Sequence, residues 1–481
     1  EVEQMNLFKD MVCYQEEVRD PSRMAEVLNR VIEKAFRGSA PAQINVPRDY
    51  WTQVIDIELP PIVRFERQGG GKEAIENAAK LLSKAKFPVI LSGAGVVLGG
   101  AIDECKKLAE KLDAPVCNGY QHNDSFPGSH PLAVGPLGYN GSKAAMELIS
   151  KADVVLALGT RLNPFSTLPG YGIDYWPKKA TIIQVDMNPD RIGLTKKVSV
   201  GICGDAKQVA QQILDKLSSD AGNTGREERK NLIHKTKSAW LQTLSGLDHE
   251  EDDPGTVWNK EARERDKDRM SPRQAWRAIQ DALPQDAIIS SDIGNNCAIG
   301  NAYPTFEKPR KYLAPGLFGP CGYGFPAILG AKIGCPDTPV VGFAGDGAFG
   351  ISMNEMSSCA REEWPAITMV IFRNYQWGAE KRNSILWFDD NFVGTELDPE
   401  LSYAKVANAC GLKGVTCKTM EETTKAIKQS CEDQKKGITT FIEIILNQEL
   451  GEPFRRDAMK KPVKVAGIKK EDMKKQPSLI S

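Results

Sequence analysis

The chain has 481 residues, 41% of them hydrophobic, which is enough for two or three domains each with its own core. Its 62 Lys and Arg nearly balance 63 Asp and Glu, and the net charge of -1 excludes the broad basic field of a nucleic-acid binder or a membrane-surface protein. Eleven cysteines with no C-x-x-C pair speak against a zinc ribbon or a disulfide frame, and they read as reduced thiols of a cytoplasmic protein.

In chain order, "PSRMAEVLNRVIEKAFRG" (21–38) has apolar residues at helical spacing and stops at a glycine, and "PAQINVPRDYW" (41–51) follows as a short buried strand. A helix and a strand make no sheet of their own. Residues 1–58 therefore read as the C-terminal remnant of a domain that begins upstream, in a chain that opens without Met and without a signal peptide. A Pro- and Gly-rich stretch, "LPPIVRFERQGGGKE", reads as a linker. Over 73–218 strands such as "FPVILSG", "APVCN", "ADVVLALG" and "ATIIQVD" alternate with helices, which predicts a central α/β domain with a parallel sheet and helices on both faces. Its "SGAGVVLGG" places glycines at 93, 95 and 99, one position away from a dinucleotide fingerprint, so a plain strand-to-helix turn is preferred and no flavin is expected. Residues 219–268 mix both charge signs, as in "REERK" and "KEARERDKDR", and read as a solvated linker. A second α/β domain is expected over 271–450, with a lysine-rich, solvated tail over 451–481. No apolar run is long enough to span a membrane.

The chemistry concentrates in "VVGFAGDGAFGISMNEM" (340–356), where an apolar strand runs into Gly345-Asp346-Gly347 and then a helix. In an open α/β sheet ligands sit beyond the carboxyl ends of strands, so this is a ligand-facing position. Flanking glycines let the backbone approach a ligand, and Asp346 offers a hard oxygen suited to magnesium. A tight turn that happens to contain Asp is the plain alternative. The strand "AITMVIF" then delivers "RNYQWG", so Asn374 stands at the end of a neighbouring strand, able to share one cation with Asp346.

This arrangement resembles the cofactor signature of thiamine-diphosphate enzymes in the acetolactate synthase and pyruvate decarboxylase superfamily, and the resemblance covers nearly the whole chain. It implies an α/β fold in which a middle domain and a diphosphate-binding domain follow the tail of a pyrimidine-binding domain. By the same resemblance Asp346, Asn374 and the carbonyl of Gln376 would bind Mg2+, and the N–H groups of Gly347 and Ala348 would meet the diphosphate. "SSDIGNNCA" is similar to the loop that contacts the diphosphate from the other side and nominates Asn295 and Asn296. In "APGLFGPCGYGFP" the carbonyl of Gly319 would accept from the aminopyrimidine, and Cys321 would be the wedge that bends the cofactor or else a small buried hydrophobe. The activating Glu of the superfamily belongs to the pyrimidine-binding domain, and neither Glu16 nor Glu17 matches its position.

Long stretches such as "RNYQWGAEKRNSILWFDDNFVGTEL" and "LGEPFRRDAMKKPVKVAGI" are similar to one branch of the superfamily, the sulfoacetaldehyde acetyltransferases. That likeness implies small-molecule substrates, sulfoacetaldehyde and phosphate, with acetyl phosphate and sulfite as products and a place in the breakdown of taurine-like sulfonates. Two anions near the cofactor call for fixed cations, and Lys381 and Arg382 are the candidates, against the alternative of ordinary solvated surface. A carboligase acting on pyruvate, or a catalytically silent cofactor-binding partner, are the competing expectations. The superfamily resemblance further implies a homodimer or homotetramer, with the cofactor between subunits.

Overall fold

The computed structural model describes residues 2–61, 66–246, 264, 266–316, 318–361, 363–381 and 393–448. It divides into two units, Glu1–Glu66 and Arg67–Ser481.

In the first unit β1 (Tyr14–Glu17) and β2 (Ala42–Asn45) pair in parallel, with Tyr14 opposite Ala42. The helix Met24–Gly38 connects them and ends at Ser39, which adopts the left-handed conformation at φ 46°. Its Val27 and Val31 are buried with Val18, which follows β1, while Leu28, Ile32 and Phe36 of the same helix are exposed.

The second unit holds two six-stranded sheets in which every paired neighbour is parallel. The first comprises β3 (Pro88–Ser92), β4 (Val116–Asn118), β5 (Ala133–Pro136), β6 (Val154–Leu158), β7 (Thr181–Asp186) and β8 (Val200–Cys203). Their order is β5-β4-β3-β6-β7-β8. β3 and β6 are buried at every position, as strands covered on both faces must be. The second sheet comprises β9 (Ile288–Ser291), β10 (Tyr312–Leu313), β11 (Val340–Gly345), β12 (Thr368–Arg373), β13 (Lys413–Cys417) and β14 (Thr440–Ile445), ordered β10-β9-β11-β12-β14-β13. Here the chain leaves β9 for β10 on one side and returns to β11 on the other. That reversal opens a crevice at the carboxyl ends of β9 and β11.

Apolar clusters cover both faces of the second sheet. Trp276, from the helix Pro272–Gln280, packs its ring 4.8 Å from Phe343 and 5.3 Å from Phe372, and its indole N–H donates to the Asn296 carbonyl at 2.6 Å. The two sheets meet through buried polar contacts: Asn123 Nδ2 donates to the carbonyls of Asn301 and Pro304, both at 2.9 Å, and Asp124 Oδ2 accepts from the N–H groups of Lys311 and Tyr312.

The charged stretch after residue 218 is not solvated throughout. It includes the helix Arg226–Gly246, in which Arg229 is 1% exposed and donates to five backbone carbonyls, those of Lys86, Leu112, Asp113, Gly222 and Thr224. A buried guanidinium with every bond made stitches this helix to the first sheet. Residues 247–263 and the tail 451–481 lie outside the described residues.

Candidate cofactor and metal site

β11 ends at Gly345 opposite Phe372 of β12, so the next residue of one strand, Asp346, stands level with Arg373 of the other. Asp346 opens the helix Asp346–Ser352 and is 1% exposed. Its Oδ1 accepts from the Gly347 N–H at 3.0 Å, while Oδ2 accepts from the Tyr375 N–H at 2.7 Å and from Arg373 Nη1 at 3.0 Å. Burial pushes its carboxyl up to about 6, against the downward pull of the Arg373 guanidinium and the two N–H groups.

Asn374 is 2% exposed. Tyr375, at φ 62°, turns the chain back on itself. The segment then runs antiparallel to 395–397: Trp377 N–H donates to the Thr395 carbonyl at 2.8 Å and Leu397 N–H to the Tyr375 carbonyl at 2.9 Å. In such a pair the residue between, Gln376, directs its own N–H and C=O to the opposite side. Asp346, Asn374 and the Gln376 carbonyl thus belong to one strand end and the loop beside it.

Across the crevice Gly294, at φ 131°, leads into the helix Asn295–Ile299, where Asn295 and Asn296 are buried. Asn296 Oδ1 is a buried acceptor with no partner among the described residues. Between β9 and this helix stands Asp292, 1% exposed. It accepts from Ile293 and Gly322 N–H on Oδ1 and from Gly324 N–H at 2.7 Å on Oδ2, which ties the 319–324 turn to the end of β9. Burial raises its carboxyl and those N–H groups oppose the rise. Gly319 (φ 70°) and the half-buried Cys321 lie on that turn, and burial raises the Cys321 thiol.

The donor set is one carboxylate, one amide and one carbonyl. Among the described residues no group of three His, Cys, Asp or Glu could hold a metal, so a transition-metal cage is not built here. Hard oxygens in this number suit magnesium, which takes its remaining ligands from phosphate and water. Room exists for them. A Cβ built on Gly345 or Gly294 meets no atom within 4 Å among the described residues, whereas one on Gly347 would lie 2.8 Å from the Trp377 ring. The residues present therefore fit a metal-diphosphate group, with Gly347 fixed by Trp377 and Ala348 buried behind it.

Lys381 is placed with partners: Nζ meets Glu396 Oε1 at 2.6 Å and Gln448 Oε1 at 3.4 Å. Arg382 lies outside the described residues. No motif marks Arg373 and Tyr403, which contact Asp346, Glu443 beside Arg373, or Asp292 at the end of β9. Arg373, the last residue of an apolar strand, was the available signal, since a lone cation there must find a buried partner.

Two family models match the chain, the thiamine pyrophosphate enzyme central domain over residues 75–213 and the thiamine pyrophosphate enzyme C-terminal TPP binding domain over 292–444. The chain is 78% identical to a probable sulfoacetaldehyde acetyltransferase of Rhizobium meliloti (strain 1021), over 99% of its own length and 80% of that relative. It is 76% identical to a sulfoacetaldehyde acetyltransferase of Roseovarius nubinhibens, over 99% and 79% respectively. Among solved structures, benzoylformate decarboxylase from Polynucleobacter necessarius superposes with a TM-score of 0.73 at 20% identity, covering 94% of this chain and 78% of that one.

Proposed function

The chain belongs to the thiamine pyrophosphate enzymes, in the branch of its sulfoacetaldehyde acetyltransferase relatives, and from that premise we infer that it converts sulfoacetaldehyde and phosphate to acetyl phosphate and sulfite. The observation that carries this reading is the 78% identity over 99% of the chain. The fold alone, shared at 20% identity with a decarboxylase, does not choose a substrate.

When bound, thiamine diphosphate supplies a carbanion that adds to the substrate carbonyl and then accepts the negative charge that develops there. The chain's own residues hold and orient it. We assign Mg2+ to Asp346, Asn374 and the carbonyl of Gln376, and the diphosphate to the N–H groups of Gly347 and Ala348 on one side and to Asn295 and Asn296 on the other. Support comes from the level placement of Asp346 beside the β12 end, from the unpartnered Asn296 Oδ1, and from the open space over Gly345. The turn held by Asp292 would present the Gly319 carbonyl to the aminopyrimidine and Cys321 beneath the ring system.

For the sulfonate or phosphate we keep Lys381, with Arg382 beside it. Lys381 already has Glu396 as counter-ion, so an arriving anion must displace a carboxylate. Lys381→Ala should raise the apparent KM for phosphate or aldehyde about threefold to tenfold, as loss of one charge-assisted contact does. Unchanged constants for both would remove Lys381 from the site.

The eleven cysteines are all free thiols, which supports a reducing compartment, and we place the enzyme in the cytoplasm as a homodimer or homotetramer serving sulfonate breakdown. Among the described residues no helix is long and apolar enough to cross a membrane.

The test is to supply the enzyme with thiamine diphosphate, Mg2+ and sulfoacetaldehyde, with and without phosphate, and to measure sulfite and acetyl phosphate. Equal amounts of both, dependent on phosphate, are expected. Neither product formed there, with pyruvate consumed in a parallel assay that supplies it instead of sulfoacetaldehyde, would move the chain to the carboligases.

A further inference from the structure

Arg373 is 1% exposed and stands at the centre of the network around Asp346. Its Nη1 donates to Asp346 Oδ2 at 3.0 Å, its Nη2 donates to the carbonyls of Asp398 and Leu401, and its Nε lies 3.8 Å from Glu443. The guanidinium stacks 4.3 Å from the Tyr375 ring centroid and 5.4 Å from that of Tyr403, whose hydroxyl donates to the Asp346 carbonyl at 2.9 Å. Glu443 in turn accepts from Ser402 Oγ at 2.7 Å and Tyr403 N–H at 3.1 Å. One planar cation therefore joins the ends of β11, β12 and β14 to the 398–403 segment.

The two oxygens of Asp346 are unequal. Oδ2 accepts from two donors, one of them charged, and has no lone pair in good geometry left over. Oδ1 has a single neutral donor, the adjacent N–H of Gly347. We propose that Arg373 is the positioning residue of the cation site: by occupying Oδ2 it fixes the carboxylate plane and leaves Oδ1 alone to face the metal, in line with the Asn374 side chain and the Gln376 carbonyl. A second consequence concerns charge. Within the buried triad two carboxylates share one guanidinium, so a bound cation finds a local negative charge that is already held in place rather than one that must be desolvated on arrival.

This inference rests on the reading that Asp346 and Asn374 hold the cation, and the experiment separates the two. Mg2+ is titrated into the full chain in the presence of thiamine diphosphate and followed by tryptophan emission, Trp377 lying against Gly347. Lysine at 373 keeps the charge but cannot reach Asp346 and the two carbonyls together. Arg373→Lys is expected to raise the Mg2+ concentration for half-saturation at least tenfold while reaching the wild-type amplitude at high Mg2+. Arg373→Gln, a second variant checked for folding by circular dichroism, should raise it further. Glu443→Gln, which touches Arg373 but not Asp346, should lower the melting temperature and move half-saturation less than threefold. An unchanged half-saturation in both Arg373 variants, with Asp346→Asn having lost the response, overturns the positioning role alone. A wild-type response in Asp346→Asn overturns the site itself. Equal shifts in Glu443→Gln and Arg373→Lys would reduce Arg373 to a structural cross-link.

Discussion

The second unit contains two crevices of the same topological kind, one between β3 and β6 and one between β9 and β11, and glycine serves opposite ends in them. At the first, Gly95 N–H donates to the Gly159 carbonyl at 2.8 Å and Gly93 N–H to the Leu158 carbonyl at 3.1 Å, while a Cβ built on Gly95 would sit 2.7 Å from the Gly159 Cα. Backbone lies on backbone, and the turn is closed by its own packing. At the second, Gly294 and Gly345 have no atom of the described residues within 4 Å of an added Cβ, and Asp292, Asn295, Asn296, Asp346 and Asn374 are buried. A reversal of strand order offers a crevice in both cases. Which side chains the two flanking strands deliver decides whether it is welded shut or lined for a ligand.

The largest effect should come from breaking the closed crevice. Gly159 has φ 61°, and its Cβ would lie 2.7 Å from the Gly95 Cα, so alanine there meets both backbone strain and a clash that no side chain can relieve. Gly159→Ala should cost about 3 kcal/mol or more of stability, seen as a lower melting temperature, with unchanged thiamine diphosphate affinity in the folded fraction. A melting temperature within about one degree of wild type would mean that the contact yields easily.

Gly345→Ala is the counterpart in the open crevice and the effect changes character. Gly345 has φ -68°, which any residue adopts, and no atom stands in the way of a methyl group among the described residues. Thermal stability should stay within about 0.5 kcal/mol of wild type. Cofactor affinity should fall about tenfold to a hundredfold, because the methyl enters the volume assigned to the diphosphate and forces it outward. Equal affinity in a calorimetric titration would place the diphosphate elsewhere.

The same contrast explains what the sequence disclosed. Strands such as "VVLAL" and "TMVIFR" are apolar enough to be buried at all positions, so they were legible as the interior of parallel sheets. Asp346 and Asn374 were legible as strand-end residues because the order Gly-Asp-Gly, helix, strand, Asn is a motif. Edge strands were not: Lys413–Cys417 is largely half-exposed, β10 is two residues long, and Ala133–Pro136 ends in proline. Arg373 and Asp292 were hidden for another reason. Each reads as the ordinary polar end of a strand, and only the register, with Gly345 opposite Phe372, brings Arg373 onto the Asp346 carboxylate. Arg229 was misjudged with its charged neighbours because composition cannot tell which member of a charged helix turns inward.

The smallest predicted effect tests which force governs the open crevice. Burial lifts the Asp346 carboxyl to about 6, and Arg373, Tyr375 N–H and Gly347 N–H pull it down without restoring the ordinary value. A raised carboxyl means that the folded chain without metal holds this proton more tightly than the unfolded chain. Its contribution to stability is therefore present below the ordinary carboxylate range and lost as pH rises through 6. Cation binding needs the ionised form, so Mg2+ affinity should be level above pH 7 and weaken below 6, by roughly tenfold at pH 5. The cation-dependent gain in melting temperature should shrink over the same interval. If affinity instead stays level to pH 5, the Arg373 guanidinium outweighs desolvation and keeps Asp346 charged throughout. The carboxylate would then be set by its ion pair rather than by its burial, and Arg373→Lys should bring the pH dependence back.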